Sequence, residues 1–206
     1  MSVVKVFLCG EGSNELGSRC GSPNYQYDSK PGVIETLLRG VQDQGWEVDG
    51  AIQWKGITKL RGPRMRIPRE EQNVLGLVFT AKKKRARVLA FVRDADDDKQ
   101  RPKVIAAAID KAKEKFPDVE VIGGAAVPVL EAWILAMQGE HGTENLSKAA
   151  AQSKLSELKP PSNDTAAMVE IATSVTLEKL PKDATSLRAW LTRANDVLPP
   201  LVSAAQ

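Results

Sequence analysis

Residues 88–98, Val88-Leu89-Ala90-Phe91-Val92-Arg93-Asp94-Ala95-Asp96-Asp97-Asp98, run from five apolar residues into four aspartates. A segment apolar at every position, with no polar alternation, fits a strand buried on both faces, as in the middle of a parallel sheet. Residues 3–9 (VVKVFLC) form a second such run, which opens at Gly10 into Glu11-Gly12-Ser13-Asn14-Glu15. Residues 46–54 have alternating strand character, and residues 119–122 a short strand ending at Gly123 and Gly124. Helical spacing fills the intervals. Val33, Ile34, Leu37, Leu38 and Val41 mark a helix over 31–44, and Val74, Leu77, Val78 and Ala81 one over 70–85. Further helices are expected at 102–115 and 128–137. Strands alternating with helices predict an α/β fold, a parallel sheet flanked by helices.

The remaining segments read differently. Residues 10–31, rich in Gly, Ser, Asn and Tyr, are expected to be a long loop. Beyond residue 139 no strand is evident. Helical stretches at 146–158, 166–175 and 186–197 alternate with Pro160, Pro161, Pro181, Pro199 and Pro200. The expected organisation is an α/β domain over 1–138 and a C-terminal helical extension over 139–206, packed on that core.

Composition narrows the chemistry. The 206 residues are enough to bury a core without covalent staples, and 42% hydrophobic with 27% charged residues is ordinary for a globular chain. With two cysteines and one histidine, a disulfide framework and a four-cysteine zinc site are excluded. A histidine-dependent triad would rest on His141 alone, in a glycine-rich stretch. Cys9, ending a buried strand, reads as a small hydrophobe, and Cys20 has no histidine near it in sequence to make it a nucleophile. Chemistry therefore falls to carboxylates. A net charge of +3 is too small to mark a nucleic-acid binder by itself. Its distribution says more: residues 54–69 carry Lys55, Lys59, Arg61, Arg64, Arg66 and Arg69 with no acid among them. Lys82 to Arg85 carry less information, since cations suit a helix C-terminus. No stretch reads as a signal peptide or membrane span, so a cytoplasmic location is expected.

The acids follow two apolar strands. Ligands in open α/β sheets collect at the carboxyl ends of strands, and parallel strands put those ends on one edge. Glu11 and Glu15 after one strand, and Asp94, Asp96 and Asp98 after the other, are thereby expected to converge. Facing carboxylates repel unless a cation lies between them. Oxygen-only ligands select a hard ion, Mg²⁺ or Mn²⁺. Each segment taken singly has a plainer explanation, Glu in a glycine turn and Asp capping the next helix. The pairing of the two strand ends favours function.

An apolar strand followed by Glu-Gly and a second Glu four positions on, then a strand followed by Asp-x-Asp and a further Asp, resembles the pattern of the Toprim fold. Val129-Leu130-Glu131-Ala132-Trp133-Ile134-Leu135 is similar to the acid-bearing helix of standalone bacterial Toprim-like and OLD-nuclease-type proteins. The likeness spans about residues 3–137, with Asn14 where Thr is usual and a longer polar segment over residues 17–27. The resemblance implies a Toprim-like Rossmannoid sheet and a Mg²⁺- or Mn²⁺-dependent nuclease, a hydrolase of nucleic-acid phosphodiesters in phage defence or DNA repair. It assigns catalysis to Glu11, Asp94 and Asp96, and metal binding to Glu11, Glu15, Asp94, Asp96, Asp98 and Glu131. Glu131 could equally be an acid paired with an arginine, and Trp46, Trp133 and Trp190 read as core residues rather than base-stacking platforms.

In the expected mechanism Lys55, Lys59, Arg61, Arg64, Arg66 and Arg93 hold the phosphate backbone of DNA or RNA by charge alone. A non-catalytic Toprim-like subunit of a larger assembly is the competing expectation. Its partner would be a protein such as an ATPase encoded elsewhere, since no GxxxxGK[ST] motif occurs in this sequence. A receiver domain and a haloacid-dehalogenase phosphatase are disfavoured by motif order. A dinucleotide site lacks the third properly spaced glycine.

Overall fold

The computed structural model describes residues 3–20, 30–59, 67–158 and 164–205. Arg61, Arg64 and Arg66 lie outside them. Four strands, β1 (Val4–Gly10), β2 (Trp46–Gln53), β3 (Val88–Asp94) and β4 (Glu120–Ala126), form one all-parallel sheet in the order β2-β1-β3-β4. Between them run α1 (Ser13–Leu16), α2 (Val33–Val41), α3 (Arg69–Lys83) and α4 (Arg101–Lys115). After β4 come α5 (Leu130–Met137), α6 (Lys148–Ser156), α7 (Thr165–Thr173) and α8 (Thr185–Ala205). The protein is an α/β fold of Rossmann-like type, a parallel sheet flanked by helices and followed by further helices.

Strand alternation divides the core. Val4, Val6 and Leu8 of β1, with Val88, Ala90 and Val92 of β3, face α2 and α5 to α8. Phe7, Cys9, Leu89 and Phe91 face α3 and α4. Both faces are covered, which is why β1 and β3 are apolar at nearly every residue. The helices after residue 139 belong to the first of these cores: Leu155, Met168, Leu187, Trp190, Leu198 and Val202 are all buried there. Trp190 donates its indole N–H to the carbonyl of Phe91 at 3.0 Å, and Trp133 donates to Ser186 at 2.7 Å. Trp46, Trp133 and Trp190 are buried, with no open ring face for a base.

Three elements differ from the sequence expectation. β4 continues through Gly123 and Gly124, where a break is expected. A side chain at 123 would place its Cβ 2.1 Å from the Phe91 ring, so the glycine marks close approach of neighbouring strands. The presumed loop after Gly10 begins with helical turns, α1 and a 3₁₀ turn at Gly17–Arg19. Gly10 lets α1 fold back on its strand, because a Cβ there would lie 2.3 Å from that of Glu15. Finally, α8 runs through Pro199 and Pro200, held by buried Leu198 and Val202 on either side of them.

Candidate active site

The chain steps from β1 outward to β2, then returns past β1 to β3, so the direction of winding reverses between β1 and β3. Crevices in open α/β sheets form at such a reversal. Glu11 stands just past the end of β1 and Asp94 is the last residue of β3, whose pairing with Ala126 fixes its backbone. Glu11 Oε1 accepts the Asp94 backbone N–H at 2.9 Å and also accepts from the Arg93 guanidinium. Oε2 of Glu11 has no hydrogen-bond partner among the described residues.

Glu15 and Asp94 are the buried acids. Glu15, at 5% exposure, reaches back from α1 to accept the Gly12 N–H at 2.9 Å, a capping-box contact. Burial pushes its carboxyl pKa up, and the charges of Glu11 and Glu131 add to the rise against the backbone hydrogen bonds. Asp94 Oδ1 accepts the N–H of Leu130, at the first turn of α5, at 2.9 Å. Burial, then the charges of Glu11 and Glu15, push Asp94 up to about 8, although the Leu130 N–H favours the ionised form. Glu131, in the same turn of α5, contributes to that field and accepts from Gln152 at 3.2 Å. Burial, with the charges of Glu11, Glu15 and Glu131, thus opposes ionisation of Asp94.

Asp96 lies outside that crowding. Ala95 and Asp96 donate their backbone N–H groups to the carbonyls of Ala126 and Pro128, and Asp96 and Asp97 adopt left-handed φ of 49° and 62°. Aspartate tolerates this region better than most residues. The Asp96 carboxylate accepts from Arg101 and from Lys148, each at 2.7 Å, and Arg93 lies 3.4 Å away. Burial works to raise its pKa, but the Lys148 and Arg101 hydrogen bonds outweigh burial and hold it below the ordinary value. Asp98 is more exposed, accepts the Gln100 N–H at 3.0 Å ahead of α4, and lies 3.8 Å from Arg101 Nε.

The donor set suits a hard cation, since every candidate ligand is a carboxylate oxygen. Among the described residues, however, no group of three Asp, Glu, His or Cys side chains is placed to hold a metal ion. Mg²⁺ commonly takes one or two carboxylates and completes its shell with water and substrate phosphate, so Glu11 and Asp94 fit the smaller requirement. Asp96 meets it only by leaving its three cations.

Beside Glu11 opens a cleft of about 350 Å³ lined by Trp54, Lys55, Ile57, Lys59, Arg69, Asn73 and Arg93. The structure therefore brings Lys55, Lys59 and Arg93 of the expected cationic set to the acids. Arg101 and Lys148 are contacts that sequence reasoning missed. Lys148 opens α6, fifty-two residues from Asp96, with nothing local to distinguish it from a solvated lysine. Cys9 is fully buried, and His141 is exposed beside Asp183 at 3.4 Å. No family model, curated protein or solved structure matches the chain. No helix among the described residues is long and apolar enough to cross a membrane.

Proposed function

We propose that the chain is a metal-dependent phosphoryl-transfer enzyme of the Toprim type, a cytoplasmic nuclease that hydrolyses nucleic-acid phosphodiesters. The observation that carries this reading is the meeting of Glu11 and Asp94 at the β1/β3 winding reversal, beside a cleft rich in cations. Asp94 would hold Mg²⁺ or Mn²⁺ beside Glu11, with Glu15 and Glu131 contributing negative field. The ion, when bound, neutralises charge on the scissile phosphate and lowers the pKa of water at the site. The chain's own residues do the rest. Glu11 Oε1 is fixed by Arg93 and the Asp94 N–H, which leaves Oε2 to move the proton. Arg93, Lys55 and Lys59 attract the phosphate backbone without reading bases.

The test is a cleavage assay on single- and double-stranded DNA and RNA with Mg²⁺ or Mn²⁺. Glu11→Gln and Asp94→Asn are each expected to lower hydrolysis by at least about 10²-fold, and activity that survives both overturns the mechanism.

The engagement of Asp96 by Arg93, Arg101 and Lys148 favours a second reading, a non-catalytic Toprim-like subunit in a defence or repair assembly. That reading expects no Mg²⁺-dependent thermal stabilisation. A Mg²⁺ shift that disappears in Asp94→Asn counts against it.

A further inference from the structure

The cations around the acids fall into two kinds. Arg93, Arg101 and Lys148 are neutralised by Glu11, Glu70, Asp96 and Asp98. Lys55, Lys59 and Arg69 make no hydrogen bond or ion pair among the described residues, yet all three line the cleft beside Glu11. Three cations without a counter-ion thus line it, next to the Arg93–Glu11 pair. Like charges gathered around one concavity, without protein counter-ions, form a ready site for an external anion. A neighbouring cleft of about 400 Å³ shares Trp54, Arg69 and Arg93, but Glu70 and Asp98 in its wall oppose the arginines. The cations without a counter-ion are therefore concentrated in the first cleft.

Size and rim decide what kind of polyanion fits. A volume of about 350 Å³ is at the low end of small-ligand pockets, roughly 300–1,000 Å³. Such a cleft accommodates a unit of nucleotide size, one backbone phosphate with its sugar, and not two paired backbones side by side. Across the acids from the cleft, the C-terminal helices use their polar groups internally. Lys148 binds Asp96, Gln152 binds Glu131, and Thr165 binds Asn14 at 2.8 Å. Among the described residues, these polar groups of that rim are already engaged and are not free to meet a complementary strand. Trp54 is 9% exposed, with Arg93 5.5 Å from its ring centre and Phe91 packed at 5.8 Å, so it is a wall and not a stacking platform.

We propose that Lys55, Lys59 and Arg69 seat a phosphate adjacent to the scissile one, and that the substrate enters as single-stranded nucleic acid held by its backbone irrespective of sequence. This rests on the phosphoryl-transfer reading for the role of the neighbouring acids, and it adds Arg69, the strandedness and the basis of recognition.

Binding separates the two ideas. Fluorescence anisotropy of the full chain in Ca²⁺ buffer, with labelled oligo(dT), oligo(U) and the oligo(dA)·oligo(dT) duplex of equal length, measures affinity independently of turnover. The single strands are expected to bind at least about tenfold tighter than the duplex. The triple variant Lys55→Gln, Lys59→Gln, Arg69→Gln is expected to lose about 10- to 100-fold in affinity. It should also lower the slope of log K against log salt by roughly two, from about 0.7 per phosphate contact. Circular dichroism checks that the variant, altered only at exposed or partly exposed side chains, keeps its fold. Duplex binding as tight as single-strand binding, or a triple variant with unchanged affinity and salt slope, overturns the proposal. Tight single-strand binding lost in the triple variant, with no cleavage in Mg²⁺ or Mn²⁺, upholds the seat and overturns the enzymatic reading instead.

Discussion

Asp94 and Asp96 stand two residues apart at the end of one strand, and their surroundings are opposite. Asp94 is buried and accepts one backbone N–H, and burial, then the charges of Glu11, Glu15 and Glu131, push it up to about 8. Asp96 is wetter and ringed by Arg93, Arg101 and Lys148, which hold it below the ordinary value. Two identical side chains in one Asp-x-Asp motif are thus given different electrostatic roles by their neighbours. One sits in excess negative charge that a cation would relieve. The other anchors cations that are already present.

The largest effect expected from breaking this contrast is on hydrolysis. Asp94→Asn should lower the cleavage rate by about 10²- to 10⁴-fold or more and remove any Mn²⁺-induced rise in melting temperature. Asp96→Asn should keep the Mn²⁺ shift. Loss of that shift in Asp96→Asn and not in Asp94→Asn would reverse the assignment, and differential scanning fluorimetry reads it directly.

The next effect is on the pH dependence of stability without metal. Asp94 binds its proton more tightly in the folded state, so stability falls as pH rises from about 4 to about 8, by up to about 1.4 kcal/mol per pH unit. The raised pKa of Glu15 acts in the same direction. Urea unfolding at stepped pH should show this decline, and Asp94→Asn should flatten it. A wild-type curve already flat over that window would contradict the burial of uncompensated charge.

A smaller loss is expected from Asp96→Asn at neutral pH, about 1.5–3 kcal/mol, as charge-assisted hydrogen bonds are weakened. Asp96 has the opposite sign of linkage: its contribution is present above about pH 4 and is lost as pH falls through its lowered pKa. The smallest change is expected from Lys148→Met. Lys148 is 42% exposed, so stability should move by no more than about 1 kcal/mol, while the Asp96 carboxyl titrates at higher pH by NMR.

Much of this architecture was legible in the chain. The apolar runs before Glu11 and Asp94 identify buried strands because both sheet faces are covered, and parallel pairing brings their ends together. The extension of β4 was hidden because Gly123 reads as punctuation unless the Phe91 ring above it is known. The course of α8 was hidden because Pro199 and Pro200 read as a stop, while the burial that sustains the helix is tertiary. At the site, acids at strand ends announce themselves by position. The cations that neutralise Asp96 do not, since Arg101 and Lys148 come from helices where basic residues are usually solvated. The role of Asp96 is set by contacts that local sequence does not encode.

The indole of Trp190 meets the carbonyl of Phe91 across 99 residues of chain, and Thr165 meets Asn14 across 151. Contacts of such separation, joined to an all-parallel sheet, carry a large loop-closure cost that must be met before the contacts repay it. The helices from α6 to α8 belong to the same buried cluster as β1 and β3, the strands that end at Glu11 and Asp94. The acids at the sheet edge therefore depend for their burial on residues from both ends of the chain, and a truncation after residue 139 would expose the core face behind them.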